Sequence, residues 1–239
     1  MSKNRGRSTL MRVRRVLLRC LFAISHRRII KNYLESHHIR KLQIGCGRNA
    51  LDGWLNTDLN PTKKVVFLDA TKRFPFDDGT FDYVFSEHLI EHLAYQDGVK
   101  FIRECYRVLK PGGKIRVSTP DLRFLIELYT ENKTRLQEQY IAWAVDSFLP
   151  DIGIYEDTFV INNFFKSWGH KFIYDYKTLK SLLENVGFIN IKRYAPGVSD
   201  DKNLQGIELH GRYIGDEFNK LESIVVEGTK PCNCSALKK

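Results

Sequence analysis

Two glycines and two acids are the residues of this chain best placed to do chemistry together. Gly45 and Gly47 flank Cys46 directly after the short β-prone run 41–44, Asp58 stands at the end of the next such run, and Asp69 at the end of a third. Glycines let a backbone approach a ligand closely. A carboxylate such as Asp58 can accept both hydrogen bonds of a ribose diol, and Asp69 can accept from an adenine amino group. The set fits an adenosine-containing ligand without choosing one. Asp58 follows Gly47 by only eleven positions, where a dinucleotide fingerprint leaves about 20. The first crossover is therefore expected to be a loop or a single turn. A ligand without phosphate loses little from that, whereas NAD or FAD would lose its pyrophosphate site at a helix N-terminus.

Histidines supply the second candidate group. His88 stands just past the expected fourth strand and His170 follows a long insertion. Each is a candidate base for an acceptor proton, and each is also readable as a capping or packing histidine. His92 lies one helical turn beyond His88 and would share its face on a continuous helix.

These residues need a scaffold, and the sequence spells one. Strands are expected at 41–44, 54–59, 65–68, 81–86, 114–118, 188–194 and 221–227, with helical patterns at 89–109 and 175–185. Strands alternating with helices argue for a doubly wound α/β fold, a mostly parallel sheet covered on both faces. Residues 121–169 interrupt the alternation. Helices are expected near 121–132 and 134–148, among many aromatics that include Tyr140, Trp143, Phe148, Phe164 and Trp168. So long an insertion after a strand's carboxyl end suggests an acceptor lid; a helical cover for a sheet edge is the alternative.

Charge divides the chain. Of 239 residues with net charge +10, positions 1–41 hold twelve Lys or Arg and one acid, so the remainder is near neutral. A broad nucleic-acid-binding face on the body is disfavoured. Arg12, Arg15 and Arg19 alternate with Val13, Val16, Leu17, Leu21 and Ile24 at helical spacing. That pattern reads as a helix docked on the domain, or as a basic amphipathic helix touching an anionic membrane through residues 1–28; RNA is a third partner. Five cysteines without framework spacing point to free thiols and a cytoplasmic setting. Cys232-x-Cys234 has no second ligand pair and reads as part of a solvated tail. The expected organisation is an arm at 1–40, a domain at 41–230 containing the insertion 121–169, and a flexible tail at 231–239.

A family resemblance rests on the motifs in order. Leu42-Gln43-Ile44-Gly45-Cys46-Gly47, Asp58, Leu68-Asp69-Ala70, the run from Phe74 to Val84 (F-P-F-D-D-G-T-F-D-Y-V), and Arg107-Val108-Leu109-Lys110-Pro111-Gly112-Gly113 resemble class I S-adenosylmethionine (SAM)-dependent methyltransferases of the type 11 group. The likeness covers 42–120 well and 168–188 loosely. The stretch from Gly45 to Leu59 is similar to methyltransferases found beside polysaccharide and glycosyl-transfer functions. The resemblance implies a seven-stranded Rossmann-like sheet and SAM as cofactor. It implies that Gly45 and Gly47 pass the methionine part, Asp58 holds the ribose, Asp69 and Ala70 face the adenine, and Ser86 and Glu87 border the methyl group and the amine. Asp82 is expected to be structural.

The residues from His88 to His92 also spell H-x-x-E-H, a metallopeptidase pattern. Its place at a strand-to-helix junction inside the methyltransferase series argues against that reading, and no metal site is expected. Ser86-Glu87-His88-Leu89 stands where methyltransferases of base nitrogens resemble one another in an Asn/Asp-Pro-Pro-aromatic motif, so base methylation is disfavoured. The expected acceptor is a hydroxyl of a sugar, glycan or other small molecule. The alternatives are an RNA methyltransferase using the basic arm and a non-catalytic adaptor that keeps the fold.

Overall fold

The computed structural model describes residues 2–232. Cys234 and the rest of the expected tail beyond 232 lie outside them, as do the side chains of Arg12, Val13, Arg15, Val16 and Arg19. Helix α1 (Ser2–Ser36) leads into β1 (Lys41–Ile44), β2 (Leu55–Asp58), β3 (Val66–Phe67) and β4 (Phe81–Glu87). A 3-10 turn (Ile90–His92) and α2 (Tyr95–Val108) connect to β5 (Leu109–Pro120). The insertion folds as α3 (Leu122–Leu128), α4 (Arg135–Phe148) and α5 (Asp157–Lys166). The chain closes with α6 (Tyr176–Val186), β6 (Ile189–Tyr194), α7 (Gly211–Ile214), α8 (Asp216–Glu222) and β7 (Ser223–Thr229).

The strands form one seven-stranded sheet in the order β3-β2-β1-β4-β5-β7-β6. The first five pair in parallel, and β7 runs antiparallel to both neighbours. Strand alternation sorts side chains onto two faces. Leu42, Ile44, Val84, Ile115 and Val117 enter the main core with Phe101, Ile102 and Cys105 of α2 and Leu179, Leu182 and Leu183 of α6. Gly98 of α2 is a close-approach position: a Cβ there would sit 2.5 Å from the Tyr174 hydroxyl.

The last turns of α1 join this core through Ile29, Ile30, Tyr33 and Leu34. His26 is buried with Nε2 2.8 Å from the Thr62 carbonyl oxygen. The Tyr33 hydroxyl donates to the Lys41 carbonyl at 2.9 Å and accepts from the Lys41 amide at 2.7 Å. Farther toward the N-terminus Leu17, Leu21 and Ile24 are exposed. Among the described residues no helix is long and apolar enough to cross a membrane.

The opposite face has a different cover. No helix joins β1 to β2, as the short spacing predicts, and irregular chain between β6 and β7 lies there instead. Leu204 and Ile207 of that segment pack with Trp54 and Phe85. Arg116, fully buried on β5, pairs with Glu208 of the segment and with Glu227, its cross-strand neighbour on β7. Its Nη1 also donates to the Val198 carbonyl at 2.9 Å. Asp201 accepts from Tyr83 at 3.0 Å and Lys114 at 2.9 Å.

The helix expected over 89–109 is broken. The Glu91 carbonyl accepts from the amides of Lys171 at 2.8 Å and Phe172 at 3.2 Å, so it is spent on another segment. Leu93 is extended, and α2 starts only at Tyr95. His88 and His92 therefore do not share the face of one helix. α5 has no counterpart among the expected helices, and α8 occupies residues expected to begin the last strand.

Candidate active site

The site begins where β1 ends. The amides of Gly45 and Cys46 both donate to the Thr57 carbonyl, at 2.9 and 3.0 Å, so the turn is tied to β2. Gly45 takes φ +72°, and a Cβ there would lie 2.9 Å from Leu89 Cδ1. Gly47 takes φ +52° with open space where a Cβ would point. Asp58 completes the turn: Oδ2 accepts from the Gly47 amide at 2.9 Å and Oδ1 from the Asn60 amide at 2.7 Å. A cleft of about 260 Å³ opens here, lined by Gln43, Gly45, Gly47, Arg48, Asn49, Glu87, His88, His210 and Tyr213.

The structure brings Gly45, Gly47, Glu87 and His88 onto this cleft, with Asp58 one hydrogen bond behind it. Asp69 lies just past β3, its Oδ1 accepting from the Thr71 amide and hydroxyl at 2.9 and 2.7 Å, and Ala70 beside it is buried. Neither lines the cleft. Ser86 is buried with its hydroxyl unpartnered and lines neither cavity. Glu87 accepts from the amides of Leu209 at 3.0 Å and His210 at 2.9 Å. It thereby fixes the start of α7 against the cleft. Asp82, the expected structural acid, accepts from the Arg40 amide at 2.8 Å and from Lys110 at 2.7 Å.

A second cavity of about 350 Å³ adjoins the cleft, and His88, His210 and Tyr213 line both. Tyr140, Trp143 and Phe148 of α4 and Phe164 of α5 give it an aromatic wall, with Trp168 following α5. These are among the aromatics singled out in the sequence, and this helical insertion has its own core around Phe124, Leu128 and Val160.

Polar groups gather at the cavity's inner end. The rings of His88 and His210 stack with centroids 3.8 Å apart. His210 Nε2 is 3.0 Å from Glu222 Oε1, and the Tyr140 hydroxyl donates to the other oxygen of Glu222. Burial and the Glu222 carboxylate push the Tyr140 hydroxyl well above its ordinary pKa. His88 Nδ1 lies 3.4 Å from Glu91 Oε1, and its Nε2 lies 3.2 Å from the Ser223 hydroxyl. Burial disfavours a charge on His88, but the Glu91, Glu222 and Glu87 carboxylates outweigh it and raise its pKa. Burial likewise opposes charge on Glu91, yet His88 and His92 hold that carboxyl below its usual range. His170 sits across from His92, ring centroids 4.9 Å apart, with Nδ1 2.7 Å from the Phe164 carbonyl oxygen. Desolvation lowers its pKa. His88 occupies a left-handed backbone conformation, φ +47°, a cost of about 1–3 kcal/mol that functional sites often carry.

Residues 42–117 match the family model described as a methyltransferase domain. This stretch is a class I SAM-dependent methyltransferase domain. SAM is the cofactor of such domains, and the methyltransferase turn fits it: open space beside Gly47, a carboxylate at Asp58, and no phosphate to be met. The chain is 47% identical over 47 residues to a probable S-adenosylmethionine-dependent methyltransferase of Mycolicibacterium smegmatis, covering 20% of this chain and 18% of that protein. It is 42% identical over 64 residues to phosphoethanolamine N-methyltransferase 2 of Caenorhabditis elegans, covering 27% of this chain and 14% of that protein. The matches thus span less than a fifth of either relative. A solved SAM-dependent methyltransferase from Archaeoglobus fulgidus aligns over 90% of this chain and 94% of its own, with 21% identity and a TM-score of 0.48.

Reading the sequence of this chain misses His210, Tyr213, Glu222 and Arg48. His210 lies in a stretch with no strand or helix periodicity to mark it, and Glu222 falls in the expected last strand, which by itself gives it no chemical role. Only their contacts with His88 and Tyr140, distant in sequence, bring them to the site.

Proposed function

We propose that the chain transfers the methyl group of SAM to a hydroxyl of a small molecule, a sugar first among them, seated in the aromatic cavity. The carrying observation is that the glycine-turn cleft and this cavity share His88, His210 and Tyr213, so a ligand in each would meet at those side chains. A volume of about 350 Å³ suits a small molecule, and aromatic walls suit the apolar faces of a sugar ring. Nothing in the cavity resembles the cationic groove that tracks a nucleic-acid backbone.

Gly45 and Gly47 pass the methionine part and Glu87 borders the amine, all three on the cleft. Asp58 holds the ribose, and Asp69 and Ala70 face the adenine, from beyond the cleft's lining, while Ser86 backs the methyl position from the end of β4. The bound cofactor supplies a methyl group activated on a sulfonium sulfur. The protein's main contribution is alignment, worth about 7–11 kcal/mol when geometry is good. His88 receives the acceptor's proton, and Glu91 stabilises the resulting imidazolium. His170, the other candidate base, borders the acceptor cavity alone.

Calorimetric titration with SAM, its demethylated product and NADH tests the cofactor assignment: the first two bind and NADH does not. Formation of the demethylated product is then followed across monosaccharides and glycans. Phosphoethanolamine joins that panel as an amine acceptor, because one relative carries that activity in its name. Binding of NADH in preference to SAM would overturn the reading.

A further inference from the structure

We propose that Glu91, His92 and His170 form a site for one divalent transition-metal ion, represented by zinc, on the wall of the acceptor cavity. Each offers one ligand atom, and the three atoms lie within 4.8 Å of one another. All three residues line the cavity.

Glu91 carries the argument. Its side chain is fully buried. Oε2 accepts from the Thr119 hydroxyl at 3.0 Å, but Oε1 has no hydrogen-bond partner. A buried carboxylate oxygen without a hydrogen bond is costly. The nearest nitrogen, His88 Nδ1 at 3.4 Å, faces it without a hydrogen bond; a cation shared with the nitrogens of His92 and His170 would pair this oxygen and complete a ligand set. His92 Nε2 lies 3.9 Å from this oxygen. Two ligands about 2.1 Å from an ion at a tetrahedral angle stand about 3.4 Å apart, so this pair needs to close by about half an ångström.

His170 is prepared for ligation. Its Nδ1 faces the Phe164 carbonyl oxygen at 2.7 Å, which places the proton there and leaves the lone pair on Nε2. That is the outer contact typical of a ligating histidine. Two imidazoles and a carboxylate favour zinc or a neighbouring first-row divalent ion over magnesium or calcium. A second cluster, His88, His210 and Glu222, is the weaker candidate because its groups already satisfy one another: His210 bonds Glu222 and His88 meets Ser223.

Three protein ligands leave a coordination position open, as in catalytic rather than structural zinc sites. Here it would face the cavity and take an oxygen of the acceptor, fixing its orientation. That consequence rests on the methyl-transfer reading; the metal site itself does not.

The full-length protein is stripped with a chelator, then titrated with zinc by calorimetry and with cobalt(II) by visible absorption. One equivalent of either binds, and cobalt gives the intense d–d bands of a low-coordinate site. Those bands are lost in His170→Ala and in Glu91→Gln and kept in His210→Ala, with circular dichroism confirming each fold. Should His170→Ala fail to fold, His92→Phe takes its place. Wild-type protein that binds neither metal, or stoichiometric binding that survives Glu91→Gln and His92→Phe, overturns the proposal. SAM titration of the stripped wild type reports separately on the cofactor reading, since the glycine turn needs no metal.

Discussion

Asp58 ties the glycine turn to the second strand, because one carboxylate oxygen holds the Gly47 amide and the other the Asn60 amide. Asp58→Ala removes the turn's anchor together with the proposed ribose acceptor. Hydrogen bonds to a charged group are worth about 1.5–3 kcal/mol, so SAM affinity should fall roughly ten- to a hundredfold by calorimetry. Unchanged affinity would remove Asp58 from the site. His88 makes the opposite prediction. It borders both cavities but supports no turn, so His88→Ala should lower turnover by about 10²–10⁴-fold, the usual worth of a base, while SAM affinity holds. Equal loss of both would make it a packing residue. These two residues were legible in the sequence because strand-end position and turn chemistry are local. Glu222 and His210 were not, since their significance lies in contacts with Tyr140 and His88, 82 and 122 positions away.

At the scale of elements, the missing first crossover helix transfers work to the segment between β6 and β7. The short Gly47-to-Asp58 spacing announced the missing helix; nothing local announced its replacement. Arg116 fastens that replacement, buried between Glu208 and Glu227. Removing one member of such a cluster strands buried charge and costs about 3–5 kcal/mol. Arg116→Leu should therefore lower the denaturation midpoint sharply and loosen 197–210, read as faster amide exchange there. A second clamp explains part of the motif series. Arg107 donates to the Phe76 carbonyl at 2.8 Å and the Phe74 carbonyl at 3.1 Å, and pairs with Glu104 and Asp78. Burial pushes the Glu104 carboxyl up, but Arg107 and the Phe74 amide outweigh it and hold it below its ordinary pKa. The folded pKa lies below the unfolded one, so this stabilisation is present above the unfolded pKa and is lost as pH falls through the folded one. Glu104→Gln should accordingly flatten the acid limb of stability against pH, measured by urea denaturation; an unaltered limb would assign the acid loss elsewhere. The break at Leu93 shows the limit of periodicity: Leu89, Leu93 and Ile102 suit one helix, but the Glu91 carbonyl is claimed by Lys171 and Phe172.

For the whole molecule, charge and packing divide the chain at different places. Composition sets the basic arm apart as far as residue 41, and from that alone removing residues 1–28 should leave the domain intact. The structure moves the seam inside α1. Leu17, Cys20, Leu21 and Ile24 are exposed, whereas His26 and Tyr33 are buried and Ile29, Ile30 and Leu34 pack on the core. Burying one such apolar side chain fully is worth about 1.5–3 kcal/mol, and whole domains hold only about 5–15 kcal/mol. A deletion ending at residue 20 should thus leave both melting temperature and SAM affinity unchanged. One ending at residue 28 loses the His26–Thr62 contact, worth about 1 kcal/mol, and should melt a few degrees lower with SAM binding kept. One ending at residue 36 strips four core side chains and should not fold. Calorimetric melting of the three truncations places the seam: unfolding by the shortest deletion would make the basic segment structural, and full stability of the longest would return α1 to a detachable arm.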